Sequence, residues 1–186
     1  GKLFDDTMTS ITKNIQHLQS REQSKTWGRN SWEKILVCIV ADGRQKIDGR
    51  VLKMLGLMGV YQDGIAKDTV AGKDVTAHMF EYTTQVVVDH EGNVSGGIAP
   101  VQVCFILKEQ NKKKLNSHRW FFNAICASVN PTVCTLIDVG TRPSGTSLYH
   151  LYKTFQKHAN VGGACGEIAV DTGRGCSNLL NPLVAA

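Results

Sequence analysis

The chain reads as an α/β domain, a mostly parallel sheet flanked by helices. Three observations predict this. Short apolar runs at 34–41, 101–107 and 132–138 have the length and β-branched content of buried strands. Segments with apolar residues at three- and four-residue spacing alternate with them. Each apolar run also ends on a charged residue, Asp42, Lys108 or Asp138. Open α/β sheets bind their ligands at the carboxyl ends of the strands.

Residues 3–19 carry Phe4, Met8, Ile11, Ile15 and Leu18, the spacing of an amphipathic helix. Residues 20–31 are polar and read as a loop. The run 34–41 (Lys-Ile-Leu-Val-Cys-Ile-Val-Ala) is a strand that delivers Asp42-Gly43-Arg44 to a turn. Val51, Leu52, Met54, Leu55 and Met58 place a helix at 48–58, which Gly59 ends. Residues 75–88 are β-rich, with alternation at 78–82, and a glycine-rich loop at 92–97 closes that stretch.

The run 101–107 is the next strand, and Lys108 follows it. A helix at about 115–128 carries Trp120, Phe121 and Ile125, with Ser117 as its N-cap residue. The strand 132–138 then delivers Asp138-Val-Gly140. A helix at 146–158 carries Leu148, Leu151, Tyr152 and Phe155. The described order closes on Val161-Gly-Gly-Ala-Cys-Gly-Glu167, with three glycines in five residues.

Length and composition set bounds. The 186 residues suffice for one domain with a real core, and 42% hydrophobic with 20% charged residues is ordinary for a globular protein. The net charge of +5 suits a phosphorylated ligand or a nucleic acid equally. Six cysteines at 38, 104, 126, 134, 165 and 176 contain no C-x-x-C pair, which argues against zinc. Cys38, Cys104, Cys126 and Cys134 lie in apolar runs and read as reduced, buried residues. No secretory signal is present, and no apolar run reaches the ~20 residues of a membrane helix. The chain opens on Gly1 rather than Met and closes on Asn181-Pro-Leu-Val-Ala-Ala186, so it reads as a piece of a longer protein.

Two strand-end carboxylates point to a site for a metal-bound diphosphate, since Mg²⁺ is held by one or two carboxylates plus substrate phosphates. Taken singly, each aspartate also reads as a cap of the turn that follows. Lys108 pairs with those carboxylates, neutralises a diphosphate, or is an ordinary snorkelling lysine. The Lys112–Lys114 run reads first as a solvated loop, with phosphate contact as the alternative. The glycines at 162, 163 and 166 let backbone approach a ligand closely. Their spacing is neither a dinucleotide fingerprint nor a P-loop. Glu167 there either bonds sugar hydroxyls or caps a strand. Cys165 has no neighbour in the sequence that would activate it as a nucleophile, and His118 has no catalytic partner.

Seven blocks in register resemble fungal-type chitin synthase. They are Val40-Ala-Asp-Gly-Arg44, Gly59-Val-Tyr-Gln-Asp-Gly64, His78-Met-Phe-Glu-Tyr-Thr-Thr84 and Leu107-Lys-Glu-Gln-Asn111. Asn116-Ser-His-Arg-Trp-Phe-Phe-Asn123, Ile137-Asp-Val-Gly-Thr-Arg-Pro143 and Val161-Gly-Gly-Ala-Cys-Gly-Glu167 continue the register.

The resemblance runs from about Leu3 to Ala186. It implies an incomplete GT-A-like, Rossmann-type domain, spanning 1–186, of a membrane-embedded family 2 glycosyltransferase. The implied reaction transfers N-acetylglucosamine from UDP-N-acetylglucosamine to a growing β-1,4 chitin chain with inversion, using Mg²⁺ or Mn²⁺ on the UDP leaving group.

By the same resemblance, Asp42 and Gly43 match the nucleotide-holding turn, Lys108 matches a nucleotide-side lysine, and Asp138 matches the metal-binding acid. Gly162, Gly163, Cys165, Gly166 and Glu167 match the loop lining the donor sugar and the acceptor end. The second acid of the metal motif is absent, because the motif reads Asp-Val-Gly.

The family's Tyr-Asn-Glu block would precede Gly1. Its Glu-Asp-Arg block with the catalytic base, its Gln-x-x-Arg-Trp block and its membrane helices would lie outside the chain as well. The piece alone is therefore expected to be inactive. The full-length protein is expected in the plasma membrane with this segment cytosolic, and the resemblance allows a homodimer. Nucleic acid is not an expected partner. The alternatives are another processive family 2 enzyme, of hyaluronan or cellulose type, and a non-catalytic α/β module that binds nucleotides or nucleic acid.

Overall fold

A computed structural model gives the fold, and it describes residues 1–170. The chain divides into two compact units, Gly1–Tyr149 and His150–Ala186. The first begins with α1 (Lys2–Gln19), then a short 3₁₀ turn (Ser31–Lys34), β1 (Leu36–Ala41) and α2 (Gly49–Leu57). Two short strands, β2 (Thr69–Val70) and β3 (Lys73–Asp74), form a hairpin, and β4 (Ala77–Thr84) follows. A second small hairpin joins β5 (Val87–Val88) and β6 (Val94–Ser95). Then come β7 (Val101–Lys108), α3 (Lys113–Trp120), a π-helical turn (Phe121–Cys126) and α4 (Ala127–Val129). α5 (Ser147–Lys157) starts in the first unit and ends in the second.

The main sheet has the order β1-β7-β4. β7 lies at its centre, parallel to β1 and antiparallel to β4. The α/β class holds, with helices flanking the sheet. The pairing is evenly mixed, one parallel and one antiparallel, where the sequence led to mostly parallel order. β7 is apolar at nearly every position, as a strand covered on both faces must be.

Alternation along β7 assigns its faces. Val101, Val103, Phe105 and Leu107 pack with Phe4, Met8 and Ile15 of α1 and with Met54 and Leu55 of α2. Cys104 and Ile106 face the other way, against Ile125, Trp120 and Phe121. The register Val37↔Val103 and Cys38↔Cys104 extends both faces onto β1.

The run 132–138 forms no strand, contrary to the expectation from its composition. Strand backbone needs a neighbour for its N–H and C=O groups. Among the described residues β1 is bonded only to β7, and 132–138 is not added to it. The run stays irregular, with Leu136 exposed. Ser117 is likewise no N-cap, because α3 already begins at Lys113. The other helices fall where the spacing puts them, within a few residues.

Candidate functional site

The parity that sorts the core also builds the site. Lys108 continues the Cys104–Ile106 side of β7, and Asp42 extends β1 beside it. Lys108 is 1% exposed, so its ammonium must be matched by partners. Its Nζ lies 2.6 Å from Asp42 Oδ1. It also donates to Asn116 Oδ1 at 2.8 Å and to Ser117 Oγ at 3.1 Å. Those three acceptors match the three ammonium protons. The Asn116-Ser117 pair of α3 therefore serves Lys108, which explains why Ser117 sits inside the helix.

Asp42 also accepts the backbone N–H of Lys112 at 2.9 Å. Burial opposes its charge, but Lys108 and the Lys112 and Lys113 amides hold its carboxyl below the usual carboxylate range. Gly43 has φ of +110°, and a Cβ there would stand 3.0 Å from the Asn111 backbone nitrogen. Its glycine lets the β1 and β7 turns close on one another.

On the opposite face of the same edge lies a network that sequence reasoning missed. Arg44 contacts Glu109 Oε1 at 3.1 Å and Asp68 Oδ1 at 3.2 Å. Glu109 Oε1 also meets Nε2 of the buried His78 at 2.5 Å. Burial works against the Arg44 charge, and Glu109 and Asp68 more than offset it, raising its pKa. Asp68, His78 and Glu109 could offer three ligand atoms to a metal. The Arg44 guanidinium already pairs with both carboxylates and offsets one of their two negative charges. Two signals pointed to it: Arg44 completes the Asp-Gly-Arg turn, and Glu109 follows Lys108 with opposite parity.

Asp138 lies in a turn, not at a strand end, and its side chain is 73% exposed. Lys114 Nζ approaches its Oδ2 at 2.8 Å. Asp42 and Asp138 thus both contact the Lys112–Lys114 segment, one through a backbone amide and one through a side chain. As a donor set, Asp138 offers one accessible hard oxygen ligand. That fits a Mg²⁺ or Mn²⁺ ion held mainly by diphosphate oxygens.

Gly162, Gly163, Cys165, Gly166 and Glu167 fall in the second unit, in exposed irregular chain, and are placed only within it. Residues 171–186 lie outside the described residues, Cys176 among them. His118 stacks edge-on with Phe122 at 6.5 Å between ring centres, a packing role.

A layered α/β unit whose strand ends gather a carboxylate and a matched buried ammonium has the ligand-binding layout of open α/β sheets. Comparison with known proteins specifies the class. The model of the chitin synthase-like glycosyltransferase domain matches residues 1–186. Chitin synthase 2 of Mycosarcoma maydis is 61% identical over 184 residues, covering 99% of this chain and 17% of that protein. Chitin synthase 2 of Cryptococcus neoformans var. grubii is 61% identical over 185 residues, 100% of this chain and 20% of that protein. Chitin synthase 2 of Rhizopus oligosporus is 57% identical over 188 residues, 99% of this chain and 22% of that protein. The chain belongs to the chitin synthase family of glycosyltransferases, and it spans about a fifth of the length of these relatives.

Proposed function

We propose that the protein to which this chain belongs is a chitin synthase. It transfers N-acetylglucosamine from UDP-N-acetylglucosamine to a growing β-1,4 chitin chain, with inversion at the anomeric carbon. The observation that carries this reading is the family match across the whole chain, with relatives at 57–61% identity. The Asp42–Lys108 pair at the sheet edge supports it. In this reading the Asp42-Gly43 turn holds the nucleotide, and Lys108 fixes the Asp42 carboxylate in place from beneath.

Asp138 would hold Mg²⁺ or Mn²⁺, and when bound that ion offsets the charge developing on the UDP leaving group. Lys114, which pairs with Asp138 at 2.8 Å, would be at hand for a phosphate oxygen. The 162–167 loop is assigned to the donor sugar and acceptor end. The proposed setting is the plasma membrane, with this segment on the cytosolic side. Among the described residues no helix is long and apolar enough to cross a membrane.

The test uses the full-length enzyme in membranes. UDP-N-acetylglucosamine should support polymer synthesis that a chitinase digests, and UDP-glucose should not. Asp138→Asn should lower kcat by about 100-fold, the scale of removing one stabilising group from developing charge. Incorporation from UDP-glucose at a comparable rate would shift the reading to another processive family 2 enzyme.

A further inference from the structure

α1 buries three polar residues, Thr7, Thr12 and Asn14, and two of them reach a distant segment. Thr7 is 5% exposed and Asn14 is 1% exposed. They lie seven residues apart, among the Phe4, Met8, Ile11 and Ile15 positions that pack on the core. Packing alone would be served by apolar side chains, and an unmatched buried amide is costly.

Both residues bond to the segment that follows Asp138. Thr7 Oγ accepts the Gly140 N–H at 2.9 Å. Its single proton lies between the Thr141 carbonyl at 2.9 Å and the Leu3 carbonyl at 3.0 Å. Asn14 Nδ2 donates to the Ser144 carbonyl at 2.7 Å and to Ser10 O in its own helix at 2.9 Å. Asn14 Oδ1 accepts the Leu148 N–H at 3.0 Å. One helix face thus meets backbone groups at 140, 141, 144 and 148, more than 125 residues away in sequence. Three of those groups lie in irregular chain and the fourth, the Leu148 N–H, in the first turn of α5, so α1 supplies partners that neither a sheet nor a preceding helical turn provides.

We infer that Thr7 and Asn14 are positioning residues that fix the turn bearing Asp138 for its work on a metal-bound nucleoside diphosphate. This rests on the assignment of Asp138 made above. Neither residue touches the nucleotide; each acts through the backbone that aims the carboxylate.

The test uses full-length enzyme in detergent, with Thr7→Val, Asn14→Leu, Thr7→Ser and Asp138→Asn. Hydrogen exchange of the 138–148 peptide and calorimetric binding of UDP with and without Mg²⁺ are measured. Thr7→Val and Asn14→Leu should speed exchange in 138–148 while leaving 101–108 protected. Each should weaken UDP binding about five- to tenfold in Mg²⁺, as one or two lost hydrogen bonds allow. Binding without Mg²⁺ should be unchanged, and Thr7→Ser should restore both readouts.

If Asp138→Asn weakens Mg²⁺–UDP binding but Thr7→Val and Asn14→Leu do not, the positioning role is wrong and α1 merely packs there. If Asp138→Asn itself has no effect on that binding, the Asp138 assignment falls and this inference with it. Should Asn14→Leu fail to accumulate, Thr7→Val, which keeps the side-chain shape, decides the matter alone.

Discussion

Lys108 and Asp42 form one unit with unequal exposure, and that inequality sets the cost of losing either. The ammonium is sealed from solvent, whereas the Asp42 side chain is 26% exposed. Asp42→Asn leaves a buried charge without its counter-ion, which costs about 3 kcal/mol. Lys108→Met replaces the buried charge with an apolar chain of similar length and leaves a carboxylate that water can reach. Pulse proteolysis of the two variants should therefore find Asp42→Asn the less stable. The opposite order would mean that Asp42, not Lys108, is the group solvated only through the pair. Gly43→Ala meets two obstacles at once, the positive φ and the Asn111 backbone at 3.0 Å. We expect it to cost more than the ~1 kcal/mol typical of a point change and to weaken nucleotide binding, measured by UDP calorimetry.

At the scale of the element, α2 shows how local signals end a helix and tertiary contacts then reuse the end. Asp48 caps it, accepting the Arg50 N–H at 2.9 Å. At the other end Val60 N–H returns to the Leu55 carbonyl at 2.9 Å, while Gly59 takes φ of +79°. A Cβ at Gly59 would lie 2.9 Å from the Tyr82 ring on β4, so the residue serves both the cap and the packing of β4. Asp48→Ala should cost about 1 kcal/mol, the value of an N-cap. Gly59→Ala should cost more, because cap and packing fail together. Comparing the two thermal midpoints checks this. The α3 element behaves differently. Its spacing announced a helix, but its purpose, holding Lys108 through Asn116 and Ser117, has no periodic signature.

For the molecule as a whole, the depressed Asp42 titration sets a direction for pH dependence. A carboxyl held below its unfolded value of about 3.9 contributes its full stability above that pH. The contribution is lost as pH falls through the lower folded value. Acid unfolding of the wild type should therefore steepen below about pH 4, and Lys108→Met should blunt that step. Equal acid sensitivity in both would show that other carboxylates set it.

The α/β class, the amphipathic helices, the central strand 101–107 and the family were all legible in the sequence. Those signals are local or come from blocks read in order. Only the tertiary structure joined Lys108 to Asp42, Asn116 and Ser117, and placed Arg44 on Glu109 and Asp68. It also left 132–138 without a strand and gave Thr7 and Asn14 to a turn more than 125 residues away. The physical reason is common to all of these. Periodicity reports which face of an element is apolar, whereas strand pairing and the matching of buried polar groups depend on which distant segment arrives as partner.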